Sequence, residues 1–489
     1  VSGELSLLLA LGAPVVGAIL VLLAPRPPGL RDVIHIGAAL TQAIAAAHLA
    51  ALAASGEGVR VVLARPLPGV DFAFALEPLG ALMAALLSGL GVLHAIHSAG
   101  VARATHDKTA QRLMAYISLA SAATMGVAYS ANLFTFYVVY QALTLATFPM
   151  IAYGGDEDAQ RAARSYLATL LGASVGLLLP ALVWTYAVAG ELDFRPGGLL
   201  AGRVDAFTAT ALLVLYVFGL AKVGLPPVHG WVSAASKAQH SAQVSLFATS
   251  VLPAGGVGLI KVAAYVFGSA LHEVPTTARI LLLLLVGVSM CVAALIALSK
   301  QDLRERFAYS AMAQSLAVAM GALLAHPTGI FAAALQVVAL ACGAATLTMA
   351  AGAVFAATGR TDARDTAGLG RVMPWTFAGF AIACASMVGM PPFAGAWAKL
   401  WLIAAAADTG LISAAVLAGA AAVLTFAHLG PLAANALAGK APTDPFKRAD
   451  GASIMLVAPV ILSGAATLWL LVVADPLAHF LSPLWMGSP

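Results

Sequence analysis

Charge is what this sequence has least of: aspartate, glutamate, lysine and arginine supply 9% of its 489 residues, against 61% hydrophobic residues. Mean hydropathy is +0.94. A soluble domain has no means of covering that much apolar surface, so the chain is a polytopic membrane protein whose first partner is the lipid bilayer. Cysteine is nearly as scarce. Cys291, Cys342 and Cys384 sit in apolar runs without CxxC spacing, which argues against a disulfide framework or a metal site and reads them as packing residues. P-loop and Rossmann glycine patterns are missing, as is any cysteine ligation set, so nucleotide, flavin, haem and iron–sulfur chemistry are not expected here. No cofactor, no metal and no active site of the chain's own are expected. A pI of 9.0 resting on so few charges reflects basic loops rather than nucleic-acid binding. Leu5 to Ala24 is long enough to span and lacks a basic front end, so it does not read as a cleavable signal, and the tail MGSP carries no recognisable address.

What is present is a succession of apolar runs. Taken at about 20 residues each, they predict an all-α fold of about fourteen transmembrane helices. The expected spans lie near residues 5–24, 33–54, 75–98, 112–130, 132–153, 163–189, 206–226, 241–268, 278–298, 307–325, 328–357, 373–406, 410–438 and 453–474. Between the second and third, RVVLARPLPGVDFAF alternates like a short strand pair outside the membrane. DPLAHFLSPLW, after the last, is too short to cross again and is expected along the surface. Seventeen of the 25 lysines and arginines fall in loops after odd-numbered spans, among them Arg26, Lys447 and Arg448, and five on the other side. The positive-inside rule then puts both termini outside a bacterial inner membrane.

The other three lysines, Lys222, Lys261 and Lys399, lie inside spans. An ionisable group there costs about 3 kcal/mol or more and is retained where it faces a cavity or a partner. Lys222 belongs to AKVGLPPVHGWVSAASK, where Pro226 and Pro227 remove two backbone donors and free the carbonyls of the preceding turn. The device recurs as GMPPFAGAW, Gly389 to Trp397, with Pro391 and Pro392 followed by Lys399. Paired broken helices point to an ion path near the bilayer midplane. Lys222 and Lys399 are therefore candidate proton-switching groups, or else lysines that tie down the freed carbonyls. Lys261, near the outer end of its span, is expected to snorkel. His229, Lys237 and His240, along the continuation of the broken seventh helix, are candidates to pass protons toward Lys222 or are simply polar groups near headgroups. His94 and His97 read as interfacial histidines and a poor metal site. Tyr309, Ser310 and Gln314 form a polar stripe behind the charged turn of SKQDLRERFAYSAMAQ, and Asp156, Glu157 and Asp158 read as a solvated loop.

With the DLRERFAYS turn, the LTMAAGAVF span and both proline breaks in view, residues 70–440 resemble the antiporter-like subunits of the complex I superfamily. That family includes proton-pumping subunits of NADH-quinone oxidoreductase, subunits of multisubunit cation/proton antiporters and of membrane-bound hydrogenases, and membrane partners in inorganic-carbon uptake. The resemblance implies two inverted five-helix repeats, spans 4–8 and 9–13. It implies domains at 1–110, 111–270, 271–440 and 441–489. Lys222 matches the family's central lysine, Lys399 the charged group after the second break, and Glu77 an acidic residue at the start of the third span. The family's glutamate partner for the central lysine is replaced by Gln141 in FYVVYQAL. Ala248, Pro253, Gln314, Gln336 and Ala344 likewise stand where histidines or lysines are usual. The implied function is ion translocation, of protons first, through Lys222 and Lys399, inside a complex whose peripheral subunits supply redox or coupling chemistry. The alternatives are a degenerate, non-pumping scaffold, or a membrane partner in carbon uptake or cation/proton exchange.

Overall fold

A computed structural model describes residues 2–24, 28–440 and 453–484. Arg26, Lys447, Arg448, Trp485 and the MGSP tail lie outside the described residues. The chain opens with α1 (Gly3–Leu23) and α2 (Pro28–Ala54), then an antiparallel hairpin of β1 (Arg60–Leu67) and β2 (Val70–Ala75), as the alternation predicts. Helices α3 (Pro78–Ala104), α4 (Ala110–Tyr129) and α5 (Leu133–Ile151) follow, then α6 (Glu157–Ala173) running through a π-helical turn into α7 (Leu179–Ala189). The first break lies between α8 (Ala206–Gly219) and α9 (Gly230–Ala235). Next come α10 (His240–Val244), continued by a second π-helical turn and α11 (Val251–Lys261), then α12 (Thr276–Ser299), α13 (Leu303–Leu323) and α14 (Pro327–Thr358). The second break separates α15 (Pro374–Val388) from α16 (Ala394–Asp408), and α17 (Ile412–Ala438), α18 (Ile454–Ala466) and α19 (Leu470–Leu481) complete the chain.

Helix starts are written in side chains. Asn132, Asp156 and Asp205 each accept a hydrogen bond from the backbone N–H three residues on, and Asp302 accepts from Arg304. Asp156 is thus a cap, while Glu157 and Asp158 are exposed beside it. Several ends turn on left-handed glycines, Gly190, Gly359 and Gly389. Burial then sorts the helices. α14 is buried along its spanning window and the His240–His272 span nearly so, whereas α1, α2 and α17 present most of theirs outward. An apolar helix buried all round is the core of a large bundle, and those exposing Leu, Ile and Val on one side face lipid.

The count of fourteen spans and the inverted five-helix repeats are corrected here. Among the described residues nine helices are long and apolar enough to cross a membrane, and eleven if two bent pairs each count as one span. Three expected spans drop out for physical reasons. α4 and α13 have the length, 20 and 21 residues, but are too polar, and α8 is apolar but has only 14 residues before it breaks. Nor do the halves match element for element, since residues 111–270 resolve into eight α-helical segments and 271–440 into six. The DPLAHFL stretch belongs to α19, bent by 59° from α18, with Leu477 and Leu481 buried.

Loop contacts define the two ends of the bundle. At one end Leu303 N–H donates to the Thr361 carbonyl, Ala363 N–H to that of Gln301, and Gly368 N–H to that of Asn435. Arg103 and Arg31 both pair with Asp32 there. This end holds Lys108, Lys237, Lys300, Arg304, Arg360 and Arg364. At the opposite end the hairpin is pinned by Arg60–Asp193 at 2.9 Å and by Asn132 donating to the Asp71 carbonyl. On the basic end the Glu305 carboxylate holds the Lys300 ammonium above its usual range, and a hydrogen bond from Arg364 holds the Asp362 carboxyl below its own.

Candidate functional site: two broken helices and three lysines

At the first break α8 stops at Gly219, a single 3-10 turn carries Ala221–Val223, and Gly224 takes φ +87° before the cis Pro226–Pro227 bond. Only glycine adopts that φ freely. Trp231, at the far side of the same motif, donates its indole N–H to the Ala221 carbonyl at 2.8 Å, which also accepts from Gly224 N–H at 3.0 Å, so the tryptophan ties the two sides of the break together. Lys222 itself is 0% exposed. Its Nζ donates to the Tyr140 carbonyl at 2.9 Å and the Thr144 hydroxyl at 2.7 Å, and lies 3.3 Å from the centroid of the Tyr140 ring. Tyr140 and Thr144 are four apart on α5 and so share a face. Gln141 is not brought to Lys222: both of its amide atoms are buried without a hydrogen-bond partner.

The second break uses its lysine differently. Gly389 takes φ +100° ahead of the cis Pro391–Pro392 bond. Lys399 donates to the Met387 carbonyl at 2.8 Å, a carbonyl of the last turn of α15, and to Gln314 Oε1 at 3.0 Å. Gln314 in turn donates to the Met387 carbonyl at 3.2 Å and accepts from Gln336 at 2.8 Å. Trp397, the counterpart of Trp231, leaves its indole N–H without a partner. Here the lysine ties the helix end, whereas at the first break the tryptophan does so and Lys222 is left to reach across to α5. Ser310, further along the stripe, meets His428 at 3.1 Å, while Tyr309 lies under Lys300.

Lys261 does not snorkel. It is 0% exposed, forms an ion pair with Glu77, donates to the Ser130 carbonyl at 3.2 Å and lies 5.1 Å from the Phe194 ring. Both residues were visible in the sequence as separate oddities, an acidic group at the head of α3 and a lysine in a span, and what the sequence lacked was their pairing. His94 and His97 are likewise not interfacial. Both are fully buried, donating to the carbonyls of Ser241 and Met349 at 2.8 Å each. Of the expected histidine–lysine cluster, His240 is buried and stacked on Phe355, His229 is half-buried with an unpartnered Nδ1, and Lys237 is exposed. His240 lines a cavity of 560 Å³ at the basic end, and His229 and Lys237 are not among its walls.

Residues 130–425 match the family model described as NADH:quinone oxidoreductase/Mrp antiporter, TM. NADH-quinone oxidoreductase subunit L of Mycobacterium tuberculosis is 26% identical over 434 residues, 86% of this chain and 66% of that protein. Subunit N of the same oxidoreductase from Desulforudis audaxviator is 26% identical over 385 residues, 78% of this chain and 76% of that one. The chain thus spans just under two thirds of the mycobacterial subunit's length. A chain of the Mrp complex from Dietzia sp. superposes with a TM-score of 0.83 at 23% identity, covering 98% of this chain and 97% of that one, a likeness of fold. The matched region contains both proline breaks, Lys222, Lys261 and Lys399, and the chain belongs to the NADH:quinone oxidoreductase/Mrp antiporter membrane-domain family.

Proposed function

We propose that this chain is the proton-translocating membrane subunit of a multisubunit energy-converting complex, with Lys222 as the group that takes up and gives up the proton. Lys399, Gln314 and Gln336 continue the polar line beside the second break. The observation that carries this reading is the set of partners of Lys222: a wholly buried amine held by a carbonyl, a hydroxyl and a ring face, with no carboxylate among its hydrogen-bond partners. Neutral oxygens accept a hydrogen bond from an ammonium or from an amine. Loss of the proton therefore leaves both hydrogen bonds of Lys222 available, whereas Lys261 has a carboxylate partner in Glu77.

Relatives with this membrane domain carry the names of NADH-quinone oxidoreductase subunits, and the chain similar in fold belongs to an Mrp complex. Those names support an assembly in which other subunits supply redox or coupling chemistry. The excess of lysine and arginine at one end supports a bacterial inner membrane with that end facing the cytoplasm. A second reading, a non-pumping scaffold, is favoured by one observation: Gln141, standing where the family resemblance places a carboxylate, has no partner at all.

The test is proton flux in vesicles carrying the purified native complex, for wild type, Lys222→Ala and Lys399→Ala, each verified for assembly. Loss of a proton-transfer group is expected to slow flux by about a hundredfold or more in Lys222→Ala. Wild-type flux in both variants, with assembly intact, sinks translocation and leaves the scaffold.

A further inference from the structure

The lysine line leaves unused a row of buried histidines between the basic end and the first break. His240 lines the 560 Å³ cavity, whose mouth is bounded by Thr105, Asp107, Lys108, Gln239 and Arg304. Its ring stacks on Phe355 at 4.5 Å, and its Nε2 is buried without a hydrogen-bond partner. His97 approaches from α3, with Nε2–H on the Met349 carbonyl and Nδ1 buried and unpartnered. A Cβ built on Gly352 would press on the His97 ring and touch His240, so the bare Cα of Gly352 is what lets α14 sit against His97. His94 is one turn further along α3.

Beyond His94 a second cavity of 20 Å³ is walled by His35, His94, Gln42, Ser118, Ser245 and Ser250, room for about one water. Ser118 and Ser98 hold the two nitrogens of His35 at 3.1 and 3.3 Å. Ser250 starts α11, and five residues on, about 7–8 Å along the axis, Gly255 packs on the backbone of Lys222. Unpartnered buried nitrogens are costly, and a native fold keeps them where water or a proton visits.

We infer that His240, His97 and His94 form a hydrated relay that carries protons from the basic-end cavity to the small serine-lined cavity at the head of α11, and so toward Lys222. The step conserves atoms. A hydronium in the cavity gives its proton to Nε2 of His240 and is left as water; the same nitrogen returns the proton to a bridging water, which as hydronium gives it to Nδ1 of His97. His97 releases it from the same nitrogen to the next water, its Nε2–H staying on Met349, and Nδ1 of His94 takes it from that water and returns it to the water of the small cavity, its Nε2–H staying on Ser241. The charged and titratable groups around the row are Arg31, Asp32, His35 and Arg103 on one side and His106, Asp107, Lys108, Asp302 and Arg304 at the mouth. Among the described residues no three His, Cys, Asp or Glu groups converge as a metal site. The relay rests on the proposed translocation through Lys222, and its test separates the two.

In vesicles carrying the native complex, His97→Gln and His240→Gln keep a polar side chain but cannot take up a proton. Each is expected to lower flux about tenfold or more with assembly intact, while His48→Gln, bonded to Ser6 far from the row, keeps wild-type flux. Lys222→Ala is measured alongside. Wild-type flux in both histidine variants with loss in Lys222→Ala overturns the relay and leaves translocation standing. Unchanged flux in Lys222→Ala overturns both, whatever the histidine variants do, because the relay is proposed to end at Lys222. If His97→Gln does not assemble, His240→Gln, at the cavity wall, decides alone.

Discussion

Two fully buried lysines of one chain are held in opposite ways. Lys261 is locked to Glu77, whereas Lys222 rests on neutral oxygens of α5. Removing one member of a buried pair leaves an uncompensated charge and costs about 3–5 kcal/mol. Glu77→Gln is therefore expected to lower the thermal stability of the purified protein markedly, and Glu77→Gln with Lys261→Met to recover most of it. An unchanged melting temperature in Glu77→Gln would show that the pair contributes nothing to stability. Lys222, Lys261 and Lys399 were legible as single charges in apolar runs. Their partners were not, because Glu77 meets Lys261, and Thr144 meets Lys222, through packing of helices distant in the chain. His94 and His97 illustrate the same limit: spacing put them at a helix end, and α10 and α14, packed over that end, bury them.

At the level of the element, the two proline breaks share sequence and turn geometry but are tied by different side chains. Trp231 caps Ala221, while Lys399 caps Met387 and leaves the Trp397 indole N–H unbonded. Trp231→Phe removes one of the two hydrogen bonds to the Ala221 carbonyl, which keeps that from Gly224, and is expected to cost about 0.5–1.5 kcal/mol. Trp397→Phe removes no hydrogen bond and is expected to be close to neutral. Melting curves of the two variants check this directly, and equal losses would contradict the assigned roles. The breaks were legible because consecutive prolines after a glycine have few readings within an apolar run. The number of spans was not, because run length alone credited α4 and α13, whose polar faces are covered by neighbouring helices, and α8, which stops after 14 residues.

Taken whole, the molecule has a 560 Å³ cavity at its basic end and a bundle whose centre, α14, is buried throughout. The hairpin and the Arg60–Asp193 contact lie at the opposite end. Such an arrangement holds the Lys222 amine wholly buried, with two cavities on the basic side of the bundle. The central claim is that Lys222 must release its proton, not merely carry charge. Lys222→Arg tests this most directly, since a guanidinium keeps the charge and the hydrogen bonds to Tyr140 and Thr144 but does not deprotonate in a protein. Proton flux through the assembled complex in vesicles is the measurement. Flux lost in Lys222→Arg as fully as in Lys222→Ala is the expected result, and flux retained in the arginine variant would contradict the account and make Lys222 an anchor of the broken helix.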